Sequence, residues 1–196
     1  MTQVSLAALV AGTVSGQLVS FPTDTVPALA VLPERSELIF AAKRRSQEKP
    51  LILMGAASSS LWHFVAGSVE EQQVWQQVAE RYWPGALTLV LPASEKVPLG
   101  MNPSDPTTIG LRVPNHAIAQ SILSQTGPLA TTSANRSGEP PLLTSKEIAA
   151  EFPEVLTLLA ADWEEQPVTT PIPSTVAKWT GKGWEILRQG AVQLEI

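Results

Sequence analysis

The stretch Leu129-Ala130-Thr131-Thr132-Ser133-Ala134-Asn135-Arg136-Ser137-Gly138 starts apolar and ends in small hydroxyl and amide side chains. It predicts a strand over 129–132 that runs into a Ser/Asn turn. Polar groups at the end of a parallel-type strand lie where α/β sheets bind ligands, just beyond the carboxyl edge. The same residues also bond their own backbone in ordinary turns, so a ligand wall and a plain turn both fit. Towards the N-terminus, Glu34 to Arg45 has helical spacing, with Leu38, Ile39, Ala41 and Ala42 expected inward. Its last turn gathers Lys43, Arg44 and Arg45, where cations suit the helix dipole. Spacing alone favours a solvated helix end. Set opposite a hydroxyl-rich turn, the same cations could neutralise a polyphosphate and stabilise charge on a leaving pyrophosphate.

The remaining periodicities fill in an α/β chain. A helix is expected over 3–15, then strands over 18–21 and 51–54, with Thr23-Asp24-Thr25 in a loop between. Ser68 and Glu71 form a capping box that opens a helix to about Tyr82, and Trp83-Pro84-Gly85 ends it. Further strands are expected over 87–91 and 109–113, with the Pro-rich stretch 92–107 as a loop and a helix over 117–123. Thr144 with Glu147 marks a second capping box. Strands over 155–160, 174–179 and 184–187 follow, the last two forming a hairpin near Gly181-Lys182-Gly183. Helices and strands alternate first and strands dominate later, so a mixed sheet is expected. The stretch 167–173, just before Ser174, has the position of a lid.

Bulk composition narrows the chemistry. The 196 residues carry 16% charged side chains, a net charge of −5 and a hydrophobic fraction of 44%. That balance suits one globular domain and argues against a dedicated nucleic-acid binder, which would be basic. No cysteine is present and only two histidines, His63 and His116. Disulfides, thiol catalysis and Cys-based zinc sites are excluded, and no metal site is expected. The first residues lack the basic start of a signal peptide, and no apolar run suits a membrane span, so a cytoplasmic protein is expected.

Three further features are less specific when taken singly. Arg112 sits between Leu111 and Val113 in an apolar strand, so it either meets a carboxylate or is turned to solvent by alternation. His63 and His116 suit packing, or in the second case a helix cap. The six scattered tryptophans suit a core better than a stacking platform. Walker A, GxGxxG, GxSxG and HExxH patterns are absent.

Seven short motifs occur in one order: Phe21-Pro22-Thr23-Asp24-Thr25, Lys43-x-Arg45 with Lys49-Pro50-Leu51-Ile52, Trp83-Pro84-Gly85, Leu111-Arg112-Val113, Thr132-Ser133-Ala134-Asn135, Pro173-Ser174-Thr175-Val176 and Leu187-Arg188-Gln189-Gly190. In that order they resemble the YrdC/TsaC family of threonylcarbamoyl-AMP synthases, over about residues 18–190. The chain ends soon after the last motif, as expected of the short bacterial form. The resemblance implies a single YrdC-like domain over 1–196, with a twisted mixed parallel/antiparallel sheet flanked by helices. It implies an enzyme that condenses L-threonine, bicarbonate and ATP to threonylcarbamoyl-AMP and pyrophosphate, with Mg2+ arriving on ATP. The product would feed the tRNA-threonylcarbamoyl transferase machinery, and weak tRNA or double-stranded RNA binding is a further expectation. A binding module without catalysis is the alternative reading.

Carried over by position, Lys43 and Arg45 would be catalytic and hold the phosphates. Lys49, Thr108, Ser133, Asn135, Pro141 and Arg188 would complete the ATP site. Thr25, Arg112, Thr131 and Ser174 would surround threonine, with Arg112 on its carboxylate. The chain departs from the family at Pro27, Ala28 and Ala30, where an aromatic and two glycines are usual. Arg44 and Ser46 stand for a frequent Gly and Pro, Lys49 for Asn, and Met54 for a His found in some members.

Overall fold

The computed structural model describes residues 2–163 and 172–195, so most of the expected lid at 167–173 lies outside the described residues. Ten strands form one sheet: β1 (Gln3–Val4), β2 (Val19–Phe21), β3 (Ala28–Val31), β4 (Ile52–Met54), β5 (Leu87–Pro92), β6 (Thr108–Arg112), β7 (Leu129–Ser133), β8 (Leu156–Leu158), β9 (Thr175–Trp179) and β10 (Trp184–Arg188). Their order is β1-β8-β2-β3-β7-β4-β6-β5-β9-β10. Five α-helices accompany them: α1 (Leu6–Val14), α2 (Glu37–Lys43), α3 (Val69–Tyr82), α4 (Ala117–Thr126) and α5 (Ser145–Glu151). Parallel pairs (β1/β8, β2/β8, β4/β6, β5/β9) mix with antiparallel ones, as expected of a mixed sheet.

Local chemistry accounts for most boundaries. Both capping boxes are present, at Ser68/Glu71 and Thr144/Glu147, and each satisfies orphan amides at a helix start. The helix expected over 3–15 starts only at Leu6, because Gln3–Val4 pairs with β8 and Ser5 caps Ala8. The one expected over 34–45 splits into a 3-10 turn at Pro33–Arg35 and then α2. Its buried residues are Ile39, Phe40, Ala42 and Lys43, while Ala41 is exposed and Leu38 only half-buried.

Strand β3 was not expected. Alanine is a poor strand former, yet Ala28–Val31 lies between β2 and β7, paired with β7 along its whole length and with β2 over Ala28–Ala30. The strand placed at 155–160 is three residues long. The parallel character expected of 129–132 is also corrected: β7 runs antiparallel to both β3 and β4.

The core is apolar, with Phe21, Leu53, Leu89, Leu111 and Leu129 all at 1% exposure or less. Trp75, Trp83 and Trp163 are buried, and Trp179 meets both Trp75 and Trp184 edge-on at 6.2 and 5.3 Å. His63 lies in a 3-10 turn, Trp62–Phe64, against the Phe64 ring. His116 is buried at the N-cap of α4 and makes no side-chain cap bond. Among the described residues no helix is long and apolar enough to cross a membrane.

Candidate active site

A cavity of about 580 Å³ lies over one face of the sheet. Its strand lining largely follows the period of two that strands impose: Ile52 and Met54 from β4, Thr88 and Val90 from β5, Thr108, Gly110 and Arg112 from β6, Thr131 and Ser133 from β7, Val176 and Lys178 from β9, with Thr132 near the end of β7 an exception. Register aligns these positions. Ile52 is opposite both Thr131 and Gly110, Gly110 opposite Val90, and Val90 opposite Lys178. The intervening residues, such as Leu53, Leu89 and Leu111, are fully buried core. The site is thus a platform across the sheet.

One end of the cavity is deep and ordered by Arg112, which is 4% exposed. Its Nη2 donates to Asp24 Oδ1 at 2.6 Å, Nη1 to Thr25 Oγ1 at 2.9 Å, and Nε to the Gly85 carbonyl at 3.1 Å. Of the two options weighed for it, the strand arginine takes the carboxylate, supplied by Asp24. Burial pushes its guanidinium down from the ordinary value, and the neighbouring Asp24 opposes that shift. Three of its five N–H groups are engaged, which leaves two for a ligand. Thr23 fixes the loop by donating to Val26 O at 2.8 Å and accepting from Thr25 N at 3.1 Å. Gly85 can present its carbonyl because a Cβ there would meet Tyr82 O at 2.5 Å.

Two further hydroxyls meet at the same end. Ser174 Oγ and Thr88 Oγ1 are 2.8 Å apart and buried. Arg188 holds that corner by donating Nε and Nη2 to the Ser174 carbonyl at 3.1 and 2.8 Å. The chain crosses itself here. A Cβ on Gly190 would sit 2.2 Å from Pro173 O, so the close approach requires glycine in Leu187-Arg188-Gln189-Gly190.

The other end is open and cationic. Arg45 donates Nε to Lys49 O at 3.1 Å and Nη2 to Pro50 O at 3.0 Å, and burial lowers its pKa. Lys49 is exposed and reaches Ser137 Oγ at 3.5 Å. Asp105 and Glu48 line this end too, with Asp105 accepting from Thr107 and Thr108. No group of three His, Cys, Asp or Glu residues suited to a metal occurs among the described residues.

Of the expected site residues, Thr25, Arg112, Thr131, Ser174, Arg45, Lys49, Thr108, Ser133 and Arg188 all line the cavity. Lys43, Asn135 and Pro141 do not. Lys43 is 1% exposed and lies behind the wall, its Nζ against Ser133 O and 3.1 Å from Asn135 Oδ1. Burial first, then the charges of Arg45 and Lys49, lower its pKa to about 7. Asn135 ties the turn by donating to Arg136 O and Glu139 O. Asp24, Thr88 and Lys178 were missed as site residues. A lone arginine in an apolar strand was the available signal for Asp24, but nothing in the sequence pairs two positions so far apart.

A mixed sheet carrying a cavity over one face, with a buried arginine at one end and cations at the other, is the arrangement of a YrdC-like domain. The profile of the Sua5/YciO/YrdC family, described as "Telomere recombination", matches residues 13–190, and the chain belongs to that family. The threonylcarbamoyl-AMP synthase of Pyrococcus abyssi is 35% identical over 92% of this chain and 52% of its own length. That of Vibrio campbellii is 32% identical over 74% of this chain and 80% of its own. The chain therefore spans about half of the Pyrococcus relative. The crystal structure of P. abyssi Sua5 complexed with L-threonine matches with a TM-score of 0.81 and 31% identity, covering 94% of this chain and 54% of that one. Escherichia coli YciO shares the fold at a TM-score of 0.82 and 23% identity, over 96% and 90% of the two chains.

Proposed function

We propose that this chain is an L-threonylcarbamoyladenylate synthase, a nucleotidyltransferase that joins L-threonine, bicarbonate and MgATP and releases pyrophosphate. The observation that carries the reading is a single cavity with a buried Arg112 hydrogen-bonded to Asp24 and Thr25 at one end, and Arg45 and Lys49 at the other. A relative of the same fold is described with L-threonine bound.

In this reading the two remaining N–H groups of Arg112 take the threonine carboxylate, as a charge-assisted pair. Thr25, Thr131 and the Ser174–Thr88 corner surround the rest of the amino acid. Its neutral amine adds to carbon dioxide, formed from bicarbonate with loss of water, and releases a proton to give a carbamate. A carbamate oxygen then attacks the α-phosphorus, and the bond to pyrophosphate breaks. No protein nucleophile is required, so positioning and charge stabilisation supply the rate. Arg45 has three N–H groups left for phosphate oxygens, with Lys49 beside it. Ser133 and Thr108 hold the nucleotide, and Arg188 reaches it from the Ser174 corner. Lys43 acts from behind the wall, by shaping Ser133 and Asn135 and by its charge. Mg2+ enters as part of the nucleotide substrate, held by phosphates and water. The product serves tRNA threonylcarbamoylation by a downstream transferase.

The test is pyrophosphate release from MgATP with threonine and bicarbonate omitted in turn. Release that depends on both supports the synthase. A folded protein that releases none under any combination overturns it and favours a binding module, whose RNA affinity would fall steeply with salt.

A further inference from the structure

The last four carbonyls of any α-helix lack partners inside the helix and must find them elsewhere. In α2 they are shared out in an informative way. Arg44 takes a left-handed conformation, φ 49°, and its N–H returns to Ala41 O while Arg45 N–H returns to Phe40 O. Those two bonds are local. The other two come from far along the chain: Ser137 N donates to Lys43 O at 3.3 Å, and Arg136 Nη1 donates to Ala42 O. The Ser/Asn turn is therefore the C-terminal cap of the helix that carries the cations.

Arg136 does more than cap. Its Nε donates to Glu151 Oε1 at 2.5 Å and its Nη2 to the Glu151 carbonyl at 2.8 Å, at the end of α5. The guanidinium also lies over the Phe152 ring, 4.6 Å from its centroid, and Phe152 is fully buried. A planar fork that meets two carbonyls, one carboxylate and one ring face is something arginine does and lysine cannot. Its own carbonyl accepts from Asn135 Nδ2 at 2.9 Å, so side chain and backbone both belong to the turn.

We propose that Arg136 is a positioning residue that locks the Ser/Asn turn to the end of α2 and so sets the gap between Arg45 and Ser133. The proposal rests on the nucleotide reading of that end of the cavity. Arg136 touches no lining position at the amino-acid end, so its loss acts on one substrate and spares the other.

The experiment compares wild type, Arg136→Lys and Arg136→Met in the full chain, using pyrophosphate release and calorimetric binding of MgATP. Arg136→Met is expected to raise the apparent KM and Kd for ATP at least tenfold while changing the threonine KM less than twofold. Arg136→Lys keeps one donor for Ala42 O and should recover part of that loss. ATP affinity within twofold of wild type in folded Arg136→Met overturns the proposal, as do equal rises in both KM values. Should Arg136→Met fail to fold, Glu151→Gln removes one anchor only. A two- to fourfold rise in ATP KM alone then supports the proposal, and no change overturns it. A wild-type protein without ATP affinity would instead sink the nucleotide reading itself.

Discussion

The two ends of the cavity are built in opposite ways. At the amino-acid end, strands and a tight loop bring Arg112, Asp24, Thr25 and Ser174 into the interior, where each is held by its neighbours. At the proposed nucleotide end, half-buried Arg45 and exposed Lys49 sit on the connection after α2, and Lys43, fully buried, lies behind the wall. Burial makes each contact at the first end worth more and its loss costlier. Exposure at the second would let charge adapt to the polyphosphate of the proposed reaction. In the proposed reaction, recognition of the amino acid and handling of the larger charged nucleotide would separate along one sheet face.

The sharpest way to break this contrast is at Arg112. Arg112→Ala leaves Asp24 facing the interior without its partner, a change that costs about 3 kcal/mol where buried pairs are broken. It should also raise the threonine KM a hundredfold or more and the ATP KM less than fivefold. Chemical denaturation and steady-state kinetics read the two effects. Equal rises in both KM values would mean that Arg112 serves the fold and not the amino acid.

Arg45 should show the reverse profile. Its two bonds go to the carbonyls of Lys49 and Pro50 in an exposed loop, where water can replace them. Arg45→Ala is therefore expected to lower kcat/KM for ATP about a hundredfold, with stability changed by less than about 1 kcal/mol. Near-normal turnover in the folded variant would remove Arg45 from the chemistry and erase the contrast.

Which of these features could be read from the sequence depended on range. Helix caps at Ser68 and Thr144, the hairpin at 181–183 and the strand before Ser133 are local patterns, and they formed where the residues indicated. β3 escaped notice because Ala28-Leu29-Ala30-Val31 has no strand signature of its own; β2 and β7 impose it from both sides. Lys43 read as solvated because cations at a helix end usually are. Its burial follows from the turn at 133–138 closing over it, a contact between distant segments. Arg136 looked like one more polar residue in a polar turn, since its partners are backbone groups that carry no sequence signal. The family motifs reached Ser133 and Asn135 but not the arginine that anchors them.

Lys43 offers a subtler probe of the nucleotide end. Its pKa of about 7 lies below the ordinary 10.5. Between those values the unfolded chain binds more protons than the native one, so stability should rise with pH across that window. A bound triphosphate reverses the local balance by favouring the ammonium. Binding above pH 7 should then take up a proton, and MgATP affinity should fall as pH rises, by at most about tenfold per unit. Calorimetry at pH 8 in two buffers of different ionisation enthalpy measures the uptake, and Lys43→Met should abolish it. No uptake in wild type would place Lys43 out of reach of the phosphates.

The smallest expected effect concerns Arg44, the middle cation of the cluster. Its left-handed backbone at the end of α2 is one that glycine adopts freely and an L-residue adopts at a cost of about 1 kcal/mol. The side chain is exposed and lines no part of the cavity, so it is expected to be dispensable. Arg44→Gly removes the strain but gains freedom in the unfolded chain, so the net gain should be about 0.5 kcal/mol, or roughly 1–2 °C in Tm. ATP affinity should stay within twofold. A larger loss would make Arg44 a third phosphate-facing cation, and the nucleotide end would then be held by charge density more than by the placement of Arg45.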